Sequence, residues 1–145
     1  LLEKNIENVI MFQIERTLKI AKQYSQREFD ALGLGITIEQ WILLKIIEEE
    51  KELSQKELAQ KSTRDPASIT RTLDLLQKKN FVIREALPNN RRQYNIILTK
   101  EGAAFVQKNM DVVHQQRLKS VEGLSNADLQ SLKQMLQKIQ NNLSD

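Results

Sequence analysis

A chain of 145 residues with 40% hydrophobic and 28% charged side chains has the material for one compact core and does not have a disordered composition. It has no cysteine and a single histidine, which excludes disulfides, thiolate metal sites and thiol redox sensing and argues against a histidine metal centre. No apolar run approaches the roughly 18 residues of a membrane span, and the N-terminus mixes apolar with charged residues unlike a signal peptide. A soluble cytoplasmic protein is therefore expected, with no membrane partner, and Leu1 in place of an initiator Met points to a trimmed start.

The first predicted element is a long helix over about Asn5 to Phe29, where Ile6, Val9, Ile10, Ile14, Leu18 and Ala21 recur at helical spacing. Gly33 and Gly35 end that pattern. Thr37 and Gln40 then form a capping box, with Ile36 stapled to Trp41, for a helix that runs into the acidic stretch Glu48 to Glu52. Ser54 and Glu57 form a second box with a Leu53–Leu58 staple, which predicts a short helix. Asp65-Pro66 is an N-cap followed by proline at the first helical position. The helix it opens carries Ile69, Leu73 and Leu76 on one stripe and should stop near Asn80, which tolerates the left-handed conformation of a C-terminal cap. Strands over Phe81 to Leu87 and Gln93 to Leu98 flank the turn Pro88 to Arg92, and Tyr94, Ile96 and Leu98 alternate inward. Thr99 caps a long helix. A last one opens at Ser125 and bears Leu132, Met135, Leu136, Ile139 and Leu143 on one face.

The net charge of +3 is small, but its distribution is not even. From Ser54 to Lys100 ten basic residues stand against four acidic ones, or +6; the remainder has twelve basic and fifteen acidic residues, or −3. The basic excess lies where a polyanion would be met. A short capped helix, a turn, a second helix and a two-stranded ribbon with an arginine tip make a winged helix-turn-helix, whose second helix fits a major groove. With Ile69, Leu73 and Leu76 inward, Ala67, Arg71, Asp74 and Lys78 face outward, flanked by Ser68 and Thr70. Arg71 is the candidate base or phosphate donor, or else a salt-bridge partner of Asp74. Ser68 and Thr70 offer hydroxyl contacts, and the helix amides around Ala67 suit a phosphate. Arg91 and Arg92 at the ribbon tip suit a minor groove.

The run Asp65 to Arg84 (DPASITRTLDLLQKKNFVIR) resembles the recognition helix and first wing strand of the MarR family. Pro88 to Arg92 (PNNRR) and Leu98 to Gly102 (LTKEG) resemble its wing and the start of its next helix. The resemblance implies a mainly α fold with a small two- to three-stranded antiparallel β-wing, in a single domain over 1–145. Residues 36–102 would form the winged helix-turn-helix, and 1–35 with 103–145 the dimerisation helices. It further implies a homodimer on double-stranded DNA, a regulator that is most often a repressor of a pseudo-palindromic operator, and release by a small phenolic or anionic effector. Asn90 stands where the family's wing usually has an Asp that orients the arginine matched by Arg92, and Asn80 stands where the family often has Gly.

Trp41 reads first as a core residue; the sharper reading sets it, with Met11, on an effector cavity between the helix bundle and the DNA-reading helices. The apolar stripes of the first and last helices exceed what one small domain needs, which predicts a subunit interface. No nucleophile–His–acid set, glycine-rich phosphate loop or metal-ligand spacing is present, so neither an enzyme nor a cofactor is expected. Two other readings stay open: a winged helix that docks a protein, and an architectural DNA binder without operator preference.

Overall fold

The computed structural model describes residues 3–144, the side chains of Asn90 and Arg91 excepted. Six helices and three short strands follow one another as α1 (Ile10–Ala31), α2 (Ile38–Glu50), β1 (Leu53–Ser54), α3 (Gln55–Ser62), α4 (Pro66–Lys78), β2 (Val82–Leu87), β3 (Asn90–Leu98), α5 (Lys100–Ser120) and α6 (Asn126–Leu143). Two compact units result, Leu1–Asp111 and Val112–Asp145, with the division falling inside α5. Among the described residues no helix is long and apolar enough to cross a membrane.

The first unit holds the winged helix. Its core is built from Leu43, Leu44 and Ile47 of α2, Leu58 of α3, Ile69, Leu73 and Leu76 of α4, and Val82 and Ile96 of the sheet, all closed to solvent. Burying a Leu or Ile side chain of this kind contributes about 1.5–3 kcal/mol, so these positions hold α2, α3, α4 and the sheet together. Phe29, Trp41, Phe105 and Phe81 extend the core as a chain of rings: Phe29 meets Trp41 edge-on at 6.2 Å, and Phe105 lies 6.4 Å from Trp41 and 4.6 Å from Phe81.

Helix starts follow the capping residues. Thr37 Oγ1 accepts the Gln40 N–H while the Gln40 side chain accepts the Thr37 N–H, and Ser54 with Glu57 does the same for α3. The staple residues Ile36 with Trp41 and Leu53 with Leu58 are all buried. Three helices end in paired backbone bonds, α3 through Thr63 N–H to Gln60 and Arg64 N–H to Ala59. For α4, Asn80 N–H donates to Gln77 and Phe81 N–H to Leu76, with Asn80 left-handed at φ 62°. For α1, Gly33 and Leu34 repeat the arrangement on Asp30 and Phe29. Asn80 therefore does the work of a glycine.

Three expectations need correction. The first helix begins later, because Asn5 accepts the Glu7 N–H and closes a separate 3₁₀ turn (Ile6–Asn8), after which Val9 is extended and α1 starts. The sheet has three strands, within the two to three expected: β1 pairs with β3 through Leu53 to Ile96 and Ser54 to Asn95, in the order β1-β3-β2. The turn is also shorter. β2 and β3 are joined by Pro88-Asn89 alone, and Ala86 pairs with Tyr94 while Leu87 pairs with Asn90. Arg91, Arg92 and Gln93 thus lie in a bulge of β3 rather than at the tip. Beyond it, Tyr94 is exposed, where the alternation had placed it inward; Ile96 is buried as expected.

The second unit contains the end of α5 and α6. Ser125 and Asp128 cap α6 reciprocally, and this holds the Asp128 carboxyl below its ordinary range, chiefly through its hydrogen bond with the Ser125 backbone. No residue of α6 is buried: Leu132, Met135 and Leu143 are 45%, 57% and 76% exposed. In the first unit α1 likewise buries only Phe29 and exposes Ile10, Met11, Leu18 and Ile20.

Candidate nucleic-acid interface

The α3–turn–α4 segment sets the outward face of α4. Thr63 ends α3 in the left-handed region (φ 57°), Arg64 follows, and Asp65 caps α4 by accepting the Ser68 N–H at 2.9 Å. That bond is the main reason the Asp65 carboxyl sits below its ordinary range, and the Arg71 charge adds to it. The Ser68 amide is therefore spent on the chain's own carboxylate, beside the place near Ala67 where a phosphate was expected. With Ile69, Leu73 and Leu76 buried, Ala67, Thr70, Arg71, Asp74 and Lys78 are exposed and Ser68 is half-buried, as the helical period required.

Asp74 does not pair with Arg71. Its carboxylate is taken by Arg84 of β2 at 2.5 Å, and the Arg84 Nε–H donates to Gln77 Oε1 at 2.9 Å, which ties the wing to the C-terminal half of α4. Arg64 reaches along α4 in the other direction. Its Nη2 donates to the hydroxyls of Ser68 and Thr72, the latter at 3.1 Å, while its Nη1 is closed to solvent without a hydrogen-bond partner. Among the described residues no carboxylate pairs with Arg64. A guanidinium so placed keeps its charge and lacks a counter-ion.

These elements enclose an open groove of about 880 Å³, lined by Gln55 and Lys56 of α3, Arg64 of the turn, Thr70 of α4, and Arg92 and Tyr94 of β3. It brings together two of the expected residues, Thr70 and Arg92. Arg71 is exposed on α4, one residue from Thr70. The side chains of Asn90 and Arg91 lie outside the described residues. Trp41 is buried among rings with its indole N–H unpartnered, Met11 is exposed on α1, and the groove includes neither. Among the described residues no group of His, Cys, Asp or Glu is set to hold a metal.

Gln55, Arg64, Arg84 and Tyr94 were not foreseen. Arg64 left a trace in the sequence, since Ser68 and Thr72 stand four and eight residues on, the spacing at which one side chain can follow a helix face. Gln55 depends on how α3 meets α4, and Arg84 and Tyr94 on where the wing is placed, which no local pattern encodes.

The model of the MarR family matches residues 36–94. Solved structures share the fold over nearly the whole chain. BpsR of Bordetella bronchiseptica, whose DNA binding is regulated by 6-hydroxynicotinic acid, is 17% identical, with a TM-score of 0.86 over 99% of this chain and 100% of that one. A MarR-family transcriptional regulator from Rhodococcus sp. RHA1 is 21% identical, with a TM-score of 0.83 over 94% and 96%. A cysteine-to-serine mutant of MarR from E. coli, complexed with operator DNA, is 24% identical, with a TM-score of 0.77 over 94% and 99%. At such identities the likeness is one of fold. Residues 36–94 match the MarR-family model, and the chain has the fold that MarR-family regulators share.

Proposed function

We propose that the chain is a transcriptional regulator of the bacterial cytoplasm that binds a pseudo-palindromic operator as a homodimer and acts as a repressor. The observation that carries this reading is the groove. The outward face of α4, the unpaired guanidinium of Arg64 and Arg92 of the wing border one concave surface with a cationic lining. Arg71 supplies the contact to a base or phosphate, Ser68 a hydroxyl, and Arg92 with Arg91 the contacts to the neighbouring minor groove. The operator complex of the E. coli relative supports the same use of the fold.

Dimerisation is supported by the uncovered apolar faces of α1 and α6. A two-fold dimer would present two copies of α4 to major grooves about 34–36 Å apart. An effector of small phenolic or anionic chemistry would act by favouring a dimer that no longer matches that spacing. The ligand of BpsR, a hydroxylated aromatic acid, supports that chemistry. The buried Trp41 N–H without an acceptor supports a ligand place near that residue, and Met11 is proposed on its rim.

Titration of operator and random duplex DNA at increasing salt tests the reading. Arg71→Ala is expected to cost about 1–3 kcal/mol and to relax base preference. Arg92→Ala should weaken binding to all sequences and lower the salt slope by about 1. Full operator affinity in the double variant would refute the assignment. A salt slope near zero for wild-type protein would instead favour a protein-docking winged helix.

A further inference from the structure

The hydroxyls on α4 are already committed, in opposite senses. Ser68 Oγ accepts a hydrogen bond from Arg64 Nη2, which leaves its own hydrogen to give. Thr70 Oγ1 donates its single hydrogen to the Pro66 carbonyl at 3.0 Å, and its oxygen accepts from the side-chain amide of Gln55, also at 3.0 Å. A hydroxyl has one hydrogen, so Thr70 has none left for DNA. The same fact orients Gln55: an oxygen that must accept can face only the amide nitrogen, so the Nε2 side of Gln55 lies on Thr70 and its Oε1 is turned away.

Gln55 is the first residue of α3 and half-buried on the groove, and its side chain ends on the N-terminal half of α4 beside Arg71. Among the described residues its Oε1 and its second amide hydrogen have no hydrogen-bond partner. One donor and one acceptor, side by side and held still by Thr70, match the N7 acceptor and N6 amino donor that adenine shows in the major groove. We propose that Gln55 is a specificity-determining residue that reads one adenine, with Thr70 as its positioning residue rather than a contact of its own. The inference rests on the DNA-binding reading above and assigns one position of the site to a residue outside the recognition helix.

Selection of preferred duplexes from a randomised pool by the full chain, for wild type, Gln55→Ala, Gln55→Glu and Thr70→Val, tests it. Gln55→Ala should lose the preference for adenine at one position of the site, by roughly 5- to 100-fold, and keep the other positions. Gln55→Glu, an acceptor only, should prefer cytosine there. Thr70→Val, nearly isosteric, should blunt the preference at that same position. Equal weakening on all sequences by Gln55→Ala would overturn the proposal, because the amide would then be touching backbone. So would a Thr70→Val effect at a position that Gln55→Ala leaves intact. Wild-type protein that binds no duplex would be a different result, removing the DNA-binding reading itself.

Discussion

Replacing Gly102 with Ala sets two physical effects of opposite sign against each other. Gly102 lies in the first turn of α5, where alanine in place of glycine ordinarily stabilises a helix by about 0.5–1 kcal/mol. Here an added Cβ would stand 2.2 Å from the Phe81 carbonyl oxygen and 2.9 Å from Leu98 Cδ1. The carbonyl cannot retreat without cost, since it accepts the Thr99 N–H at 3.0 Å. Thr99 Oγ1 in turn donates to the Asn80 carbonyl at 2.6 Å and accepts the Gly102 N–H at 2.9 Å. A main-chain shift of this kind costs about 1–3 kcal/mol, so the net expectation is a loss of about 0.5–2 kcal/mol. Urea denaturation followed by the fluorescence of Trp41, the sole and buried tryptophan, reads the change. With a slope of about 2 kcal/mol per molar urea, the midpoint should fall by about 0.2–1 M at fixed protein concentration. A variant as stable as wild type, or more so, would refute the argument that the end of α4 and the start of α5 are locked through this glycine.

Asp74→Ala should cost less than about 1 kcal/mol of stability, because Asp74 is half exposed. By releasing Arg84 it should raise affinity for any duplex and steepen the salt slope by about 1; weaker binding would show that Arg84 acts only when held. Asp65 gives a pH signature. Its carboxyl is depressed in the folded chain, so the stability it contributes is complete above its unfolded value and is lost as pH falls through the folded one. The melting-temperature gap between wild type and Asp65→Asn should therefore narrow below about pH 4, and a gap that does not change with pH would contradict the charged cap. Glutamates at Leu136 and Ile139 together should yield monomers or insoluble protein by light scattering, whereas an unchanged dimer mass would place the interface elsewhere.

What could be read in the sequence was what neighbours in sequence decide. Thr37 with Gln40, Ser54 with Glu57, Asp65-Pro66 and Asn80 each act within five residues, and each was legible together with the buried stripe of α4. Where backbone pairing between distant segments decides, the signal was absent. β1 is two residues long and exists only because β3 runs beside it. The bulge that carries Arg92 out of the turn belongs to the β2–β3 register, not to any residue preference within PNNRR. Tyr94 keeps the face of Ile96 and Leu98, but it stands at the end of the regular β2–β3 register, next to the bulge, and is exposed. Asp74 was offered Arg71 by spacing, yet took Arg84 from across the wing.

The same division explains why a chain of modest net charge can present a cationic groove. Of the four carboxylates between Ser54 and Lys100, Glu57 closes the cap of α3, Asp65 caps α4 and Asp74 binds Arg84, so three serve the scaffold. Not all of the cations are matched in return: Lys61 pairs with Glu50 and Arg84 with Asp74, but Arg64 is held by hydroxyls rather than by a carboxylate, and Arg71 stands exposed. Hydroxyls fix a guanidinium without neutralising it, whereas a carboxylate does both. Choosing Ser68 and Thr72 to hold Arg64 thus keeps the helix-turn-helix rigid while its charge stays available to an incoming phosphate. On that logic Thr72→Asp, which would supply the missing carboxylate, should leave the fold intact and yet weaken binding to every duplex. If affinity were unchanged, the charge of Arg64 would have no part in the field that attracts DNA.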